Sequence, residues 1–282
     1  MIFIGVTGWG DHDSLYPDKL APRDKLKEYS SHFPAVEVDA AFYAIQPKRN
    51  VEKWIGETPA SFQFIVKAYQ GMTGHQRGKI PFSSREEMFA AFRASVEPYM
   101  EAGKLAMVLF QFPPWFDCTK ENVEYLRYCK NQLKGIPAAL EFRNQSWYRD
   151  EYKEKTLDFM KQEGWIHSVC DEPQSGEGSV PLEVTATCSD KTLLRLHGRN
   201  VHGWTRQASG EEWREVRYLY RYNREELEEL KGHILDLYRQ SKDVYVLFNN
   251  NSGGDAAPNA KEMIELLGLE YKGLTSRQLG LF

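Results

Sequence analysis

Short runs rich in β-branched and aromatic residues recur along this chain, separated by longer stretches in which apolar residues return every three or four positions. The runs are IFIGV from Ile2, AVEVD from Ala35, FQFIVKA from Phe62 and LAMVLFQF from Leu105, then PAALEFR from Pro137, WIHSVCD from Trp165, TLLRLHG from Thr192 and DVYVLFNN from Asp243. Amphipathic helices are expected over 23–32, 48–57, 84–102, 119–134, 149–163, 224–240 and 256–268. The clearest are 84–102 and 119–134, which open on Ser or Thr followed by acidic residues, as a helix N-terminus prefers. Eight strands with helical crossovers is the count for a single (β/α)8 TIM-like barrel of parallel strands; a doubly wound open sheet would not need eight evenly spread strands. The longest irregular connection, about 198–223, follows the seventh run and mixes Trp204, Trp213, Tyr218, Tyr220 and Tyr222 with Arg199, Arg206, Arg214, Arg217 and Arg221. Without a linker or repeat, the division expected is a barrel domain over 1–271 and a short flexible C-terminal tail over 272–282.

Composition narrows the class. Of 282 residues 41% are hydrophobic and 27% charged, and 7 Trp, 15 Tyr and 15 Phe exceed what a core requires. A formal net charge of -4 excludes an indiscriminate polycation, so any basic footprint must be local. Cys118, Cys129, Cys170 and Cys188 show no C-x-x-C pair and no zinc-finger spacing, which suits reduced thiols. The apolar run at the start is too short for a signal sequence, and no segment approaches a membrane span. A soluble, cytoplasmic protein is expected.

The chemistry is expected where the strands end, because a barrel builds its active face there. Glu37 and Asp39 end the second run, Lys67 the third, Gln111 the fourth, Glu141 and Arg143 the fifth and Asp171 the sixth. Arg195 and His197 end the seventh, with Asn249 and Asn250 closing the eighth. A period of two sets Glu37 with Asp39, Glu141 with Arg143, and Arg195 with His197 on shared faces. Converging charges are costly unless they pair or bind something. Glu37, Glu141, Asp171 and His197 could hold one divalent cation; Lys67, Arg143, Arg195 and His197 could equally hold a phosphate. A self-paired network is the third alternative. The loops Gln111-Phe112-Pro113-Pro114-Trp115-Phe116 and Arg143-Asn144-Gln145-Ser146-Trp147 put aromatics beside arginines, which suits stacking on bases or sugars, although for any one of them the favoured reading is an extension of the core at the barrel rim.

Several of these segments, in order, carry a resemblance. They are Ile4-Gly5-Val6-Thr7-Gly8-Trp9, Val36-Glu37-Val38-Asp39-Ala40-Ala41-Phe42-Tyr43, Phe64-Ile65-Val66-Lys67-Ala68 and Leu109-Phe110-Gln111-Phe112-Pro113-Pro114. Leu140-Glu141-Phe142-Arg143-Asn144-Gln145-Ser146-Trp147, Leu194-Arg195-Leu196-His197-Gly198-Arg199 and Tyr245-Val246-Leu247-Phe248-Asn249-Asn250 complete the set. Over nearly its full length the chain resembles the bacterial and archaeal domain of unknown function 72 family. That resemblance implies a TIM barrel of unestablished activity, whose barrel looks like that of endonuclease-four type DNA-repair enzymes. The chain departs from those enzymes in having few histidines near strand ends (His197 and His75, with His12 and His202 in loops), which speaks against a three-zinc centre. Asp39 and Ala40 also stand where the family more usually has Asn-Ser or Asn-Thr.

The last segment, Gln278-Leu279-Gly280-Leu281-Phe282, resembles the peptide by which bacterial proteins dock on the DNA sliding clamp. Leu279, Leu281 and Phe282 would fill an apolar pocket and Gln278 would hydrogen-bond at its edge, after a flexible lead from Lys272 to Arg277. The alternative is that these residues pack on the barrel. The leading expectation is a DNA-maintenance barrel protein carried to DNA by the clamp, with DNA or a phosphorylated ligand in its mouth. As a metal-dependent phosphodiester hydrolase it would use Glu37, Glu141, Asp171 and His197 as metal ligands or acid and base. Lys67, Arg143 and Arg195 would steady the phosphate, while Gln111 and Asn249 orient the scissile group. The rivals are a hydrolase or isomerase of a small sugar or sugar phosphate, with Glu37 and Glu141 as its carboxylate pair, and a non-catalytic ligand-binding barrel.

Overall fold

The structure, a computed structural model, describes residues 1–205 and 216–276. Each of the eight runs is a strand: β1 Ile2–Thr7, β2 Ala35–Val38, β3 Gln63–Lys67, β4 Leu105–Gln111, β5 Ala138–Glu141, β6 Ile166–Asp171, β7 Lys191–Leu196 and β8 Asp243–Phe248. They close in sequence order into a barrel, every pairing parallel, with β8 returning to β1. The (β/α)8 expectation holds.

Alternation along the strands sorts side chains into two cores. Outward residues such as Val36, Phe64, Val108, Leu140, Leu194 and Val246 meet the helices. Inward residues fill the barrel with Ala35, Ile65, Met107, Leu109, Ala139, Leu193, Tyr245 and Leu247. At the β1–β8 seam Phe3 stacks on Tyr245 with centroids 4.7 Å apart. The same inward register, continued to the strand ends, carries Glu37, Lys67, Gln111 and Glu141 above this apolar filling, with Thr7 aligned to Glu37 and Gln111 to Glu141.

The helices are α1 Lys25–Tyr29, α2 Ala40–Tyr43, α3 Lys48–Gly56, α4 Arg85–Glu101, α5 Lys120–Gln132, α6 Lys153–Glu163, α7 Val201–Thr205, α8 Arg224–Gln240 and α9 Ala256–Leu267, among the described residues. Caps explain the clean starts: Ser84 accepts from the Glu87 N–H, Thr119 from Asn122, and Asn223 and Glu226 form a reciprocal capping box. The helix expected over 23–32 is shorter, because Pro22–Asp24 form a 3-10 turn before α1. The one expected from 149 begins at Lys153, since Gln145–Tyr148 form a 3-10 turn capped by the Asn144 side chain. No helix joins β6 to β7; an irregular segment over 172–190, with a turn near Glu177, makes that crossover. It is anchored by His167, whose backbone N–H donates to the Thr187 hydroxyl at 2.8 Å and whose Nδ1 meets Thr185 O at 2.7 Å.

Part of the expected tail lead is fixed, since the Thr275 N–H donates to Ser30 O at 3.1 Å and the two hydroxyls lie 2.7 Å apart. The clamp-like peptide residues Gln278, Leu279, Leu281 and Phe282 lie outside the described residues, as do Arg206, Trp213 and Arg214. The four cysteines are free thiols, and among the described residues no helix is long and apolar enough to cross a membrane.

Candidate functional site

Two arginines from adjacent motifs organise the mouth. Arg195, at the end of β7, grips Glu37 from β2 with two parallel bonds of 2.9 and 2.8 Å and donates through Nη1 to both oxygens of Glu141 at 2.9 Å. Arg143, just past β5, donates Nε to Glu141 at 2.8 Å and reaches Glu172 through Nη1. Ser168 adds a hydroxyl donor to Glu141 at 3.0 Å. All these carboxylates and guanidiniums are buried. Planar two-point pairing of this kind is what makes burial of such charges tolerable.

The environment drives the acids apart. Burial by itself would raise the Glu141 carboxyl, but the Arg195 and Arg143 guanidiniums and the Ser168 hydroxyl outweigh it and bring the group down to about 2. For Glu37, burial outweighs the attraction of Arg195 and Lys67, and the carboxyl moves up from its ordinary value. Glu172 is pushed by burial to about 7 against the pull of Arg143. His197 is held neutral by burial and then by the neighbouring Arg143 and Arg195 charges. Its Nε2 lies 2.8 Å from Arg143 Nη2 and its Nδ1 2.9 Å from the Asn249 amide. Because a guanidinium can only donate, Nε2 is the acceptor; Nδ1 then carries the ring proton, and the Asn249 amide must turn its oxygen toward it.

Most of the residues expected at the strand ends do converge: Glu37, Gln111, Glu141, Arg143, Arg195, His197 and Asn249 form one network. Lys67 stands beside it, bonded to Asp39 at 2.9 Å and over the Phe42 ring at 4.7 Å. Asp171 is the exception. It turns outward, accepting from Arg199 Nε at 3.0 Å and from the Tyr222 hydroxyl at 2.6 Å, and borders a separate, smaller cavity. Parity explains it: Ser168 and Cys170 point inward, so Asp171 points out and Glu172 points in. Counting by two from Ser168 through the end of β6 would have found Glu172, which the sequence reading missed. Arg217 and Asp39 also face the mouth; the sequence placed Asp39 at a strand end without a role, and Arg217 only among the arginines of the longest loop.

The expected metal set of Glu37, Glu141, Asp171 and His197 is therefore not assembled, because Asp171 faces elsewhere. Among the described residues, Glu141, Cys170 and His197 do bring ligand atoms within 4.8 Å of one another, a triad that could hold a metal ion. It fits a cation poorly as it stands, because Arg143 already donates to both Glu141 and the His197 lone pair, and burial raises the Cys170 thiol well above its ordinary value.

Above the network lies a cavity of about 980 Å³. Lys67, Arg77, Arg143, Arg195 and Arg217 line it, with Trp9, Phe42, Tyr43, Trp115 and Tyr218 as aromatic walls. Asp11 and Asp39 are its acidic lining residues, whereas Glu37, Glu141 and Glu172 lie beneath, behind the guanidiniums they hold. Of the two loop tryptophans, Trp115 is 58% exposed and free to stack on a ligand. Trp147 is an extension of the core: it is buried, stacks on Phe142 at 4.0 Å and donates its indole N–H to Phe116 O at 2.8 Å.

A family model described as "Protein of unknown function DUF72" matches residues 3–280. The chain is 68% identical over 282 residues to the UPF0759 protein YunF of Bacillus subtilis (strain 168), covering all of both. A crystal structure of a DUF72 family protein from Enterococcus faecalis V583 matches with a TM-score of 0.92 at 41% identity, over 99% of this chain and 100% of that one. Another, from Thermotoga maritima MSB8, matches with a TM-score of 0.81 at 33% identity, over 95% of this chain and 100% of that one.

Proposed function

The chain belongs to the DUF72 family, and from the charges in its barrel mouth we propose that it binds the phosphate of a nucleic-acid-type ligand there. One observation carries this reading. Lys67, Arg143, Arg195 and Arg217 line the cavity, while the carboxylates that position the two central arginines lie below it. Every nitrogen of both guanidiniums is already bonded in the network, so each is fixed in orientation and offers a phosphate its positive charge and at most one remaining N–H. The aromatic walls suit the rest of such a ligand.

Metal-assisted phosphodiester hydrolysis gains less support. Glu37 and Glu141 are each tied to Arg195, and His197 is committed to Arg143 and Asn249. The paired-carboxylate reading for a sugar hydrolase is weakened by the same ties, since Glu37 and Glu141 are both fully buried against Arg195 and neither lines the cavity. Binding is the function we propose, with association to DNA through the sliding clamp resting on the sequence of Gln278 to Phe282 alone.

The test is calorimetric titration with inorganic phosphate, a nucleoside monophosphate and a neutral monosaccharide, at low and high salt. Phosphate-bearing ligands should bind, bind more weakly as salt rises, and lose affinity in Lys67→Gln. Saturable binding of the neutral sugar, with indifference to phosphate, would overturn the reading.

A further inference from the structure

We propose that the ligand enters end-on, its terminal phosphomonoester on Arg143 and Arg195 and the attached base lying on the indole of Trp115. This rests on the phosphate reading above and names the ligand class for the same cavity: a single nucleotide, free or at the end of a strand.

The depth of the arginines is the first argument. Each is 1% exposed, at the bottom of the mouth, and the barrel below them is filled by buried side chains including Ile65, Met107 and Leu109. A chain that entered past them would have no exit. An internal phosphodiester carries chain on both sides and must double back to present its oxygens at that floor, whereas a terminal phosphate needs one path in. A terminal phosphomonoester also carries more negative charge than an internal phosphodiester, which suits a floor whose guanidiniums offer positive charge more than free N–H groups.

Trp115 supplies the second argument. It is 58% exposed and lines the cavity, yet its loop is held: the Phe116 N–H donates to Pro113 O at 2.9 Å, and the Asn144 amide to Pro114 O at 2.6 Å. A held, largely exposed indole at a cavity wall, with the Arg77 guanidinium 5.9 Å over its ring, is a ready stacking surface, with little ordering cost left for a ligand to meet. A run of ring contacts joins it to the cationic floor. Lys67 lies over Phe42 at 4.7 Å, Phe42 meets His75 at 5.1 Å, and His75 meets Trp115 at 5.9 Å. Stacking of this kind is tolerant of base identity.

The experiment compares AMP with ribose 5-phosphate, which keep the same phosphate and differ in the base, on the full chain and on Trp115→Ala. AMP should bind about tenfold to a hundredfold more tightly, the range that one base–aromatic stack gives. Trp115→Ala should erase that gap and leave ribose 5-phosphate affinity unchanged; its thermal unfolding serves as the folding control. Equal affinity of the two ligands for the wild-type protein would overturn the stacking inference while leaving the phosphate reading intact. Failure of both to bind would take the phosphate reading with it. A second arm uses a single-stranded oligonucleotide with a terminal phosphate, the same strand without it, and a closed circle of equal length. The circle competing as well as the phosphorylated strand would overturn end-on entry. Binding of the phosphorylated strand as well as AMP identifies a strand end as the source, and binding of AMP alone identifies free nucleotides.

Discussion

Replacing Glu141 by Gln removes one negative charge from between two buried guanidiniums while keeping the shape and part of the hydrogen bonding. Its carboxyl stands at about 2 against an ordinary 4.5, and at 1.36 kcal/mol per tenfold in the protonation equilibrium that gap is worth about 3 kcal/mol. Loss of one partner from a buried ion pair costs about 3–5 kcal/mol in general, so the two routes agree. Arg195 retains Glu37 and Arg143 retains Glu172, which holds the cost toward the lower end. For a domain of this size, about 2–4 °C per kcal/mol translates to a fall in Tm of about 6–12 °C at pH 7. The sign with pH follows from the direction: a depressed carboxyl contributes its stability above about 4.5 and loses it as pH falls toward 2. Denaturant unfolding of wild type and variant should therefore show a gap that is full at pH 7 and shrinks below pH 4.5. A gap within about 0.5 kcal/mol at pH 7, the size of an ordinary surface change, or one that does not shrink in acid, would refute the claim that Glu141 is the charge holding the two arginines together.

Glu172 should behave in the opposite sense: raised to about 7, it holds a proton in the folded state that the unfolded chain releases near 4.5, so it makes stability fall as pH rises from 4.5 to 7. Glu172→Gln should flatten that fall in unfolding experiments, and an unchanged slope would count against the assignment. Gly198 has φ of 83°, and a Cβ there would lie 2.5 Å from the Tyr220 Cβ; Gly198→Ala should cost about 2–4 kcal/mol of stability by chemical denaturation. A variant truncated after Arg277 should lose an affinity for a bacterial sliding clamp on the order of micromolar, as read by surface plasmon resonance; wild type and variant behaving alike would remove that partner.

Much of the fold was legible because its information is local. Strand parity, helix caps such as Ser84 and Thr119, and the stop at Gly164 each depend on a few neighbouring residues. Asp171 shows where local reading slipped: it stands last in its strand, and only the phase of Ser168 and Cys170 reveals that it points outward. Trp115 and Trp147 each stand in a loop that follows a strand, and they part because Phe142 and Phe116 cover one of them.

The sequence by itself determined eight strands, their inward and outward faces, and a set of ionisable residues at their ends, since these follow from a period of two and the sorting of apolar side chains from water. Closure of the barrel decided the rest. It set Glu37 against Arg195 across 158 positions of chain. It committed Glu37, Glu141 and Glu172 to guanidiniums rather than to a metal ion, and left those arginines, not those acids, lining the open cavity. Which charge pairs with which depends on distances between strand ends in the closed ring, and no stretch of sequence contains those distances.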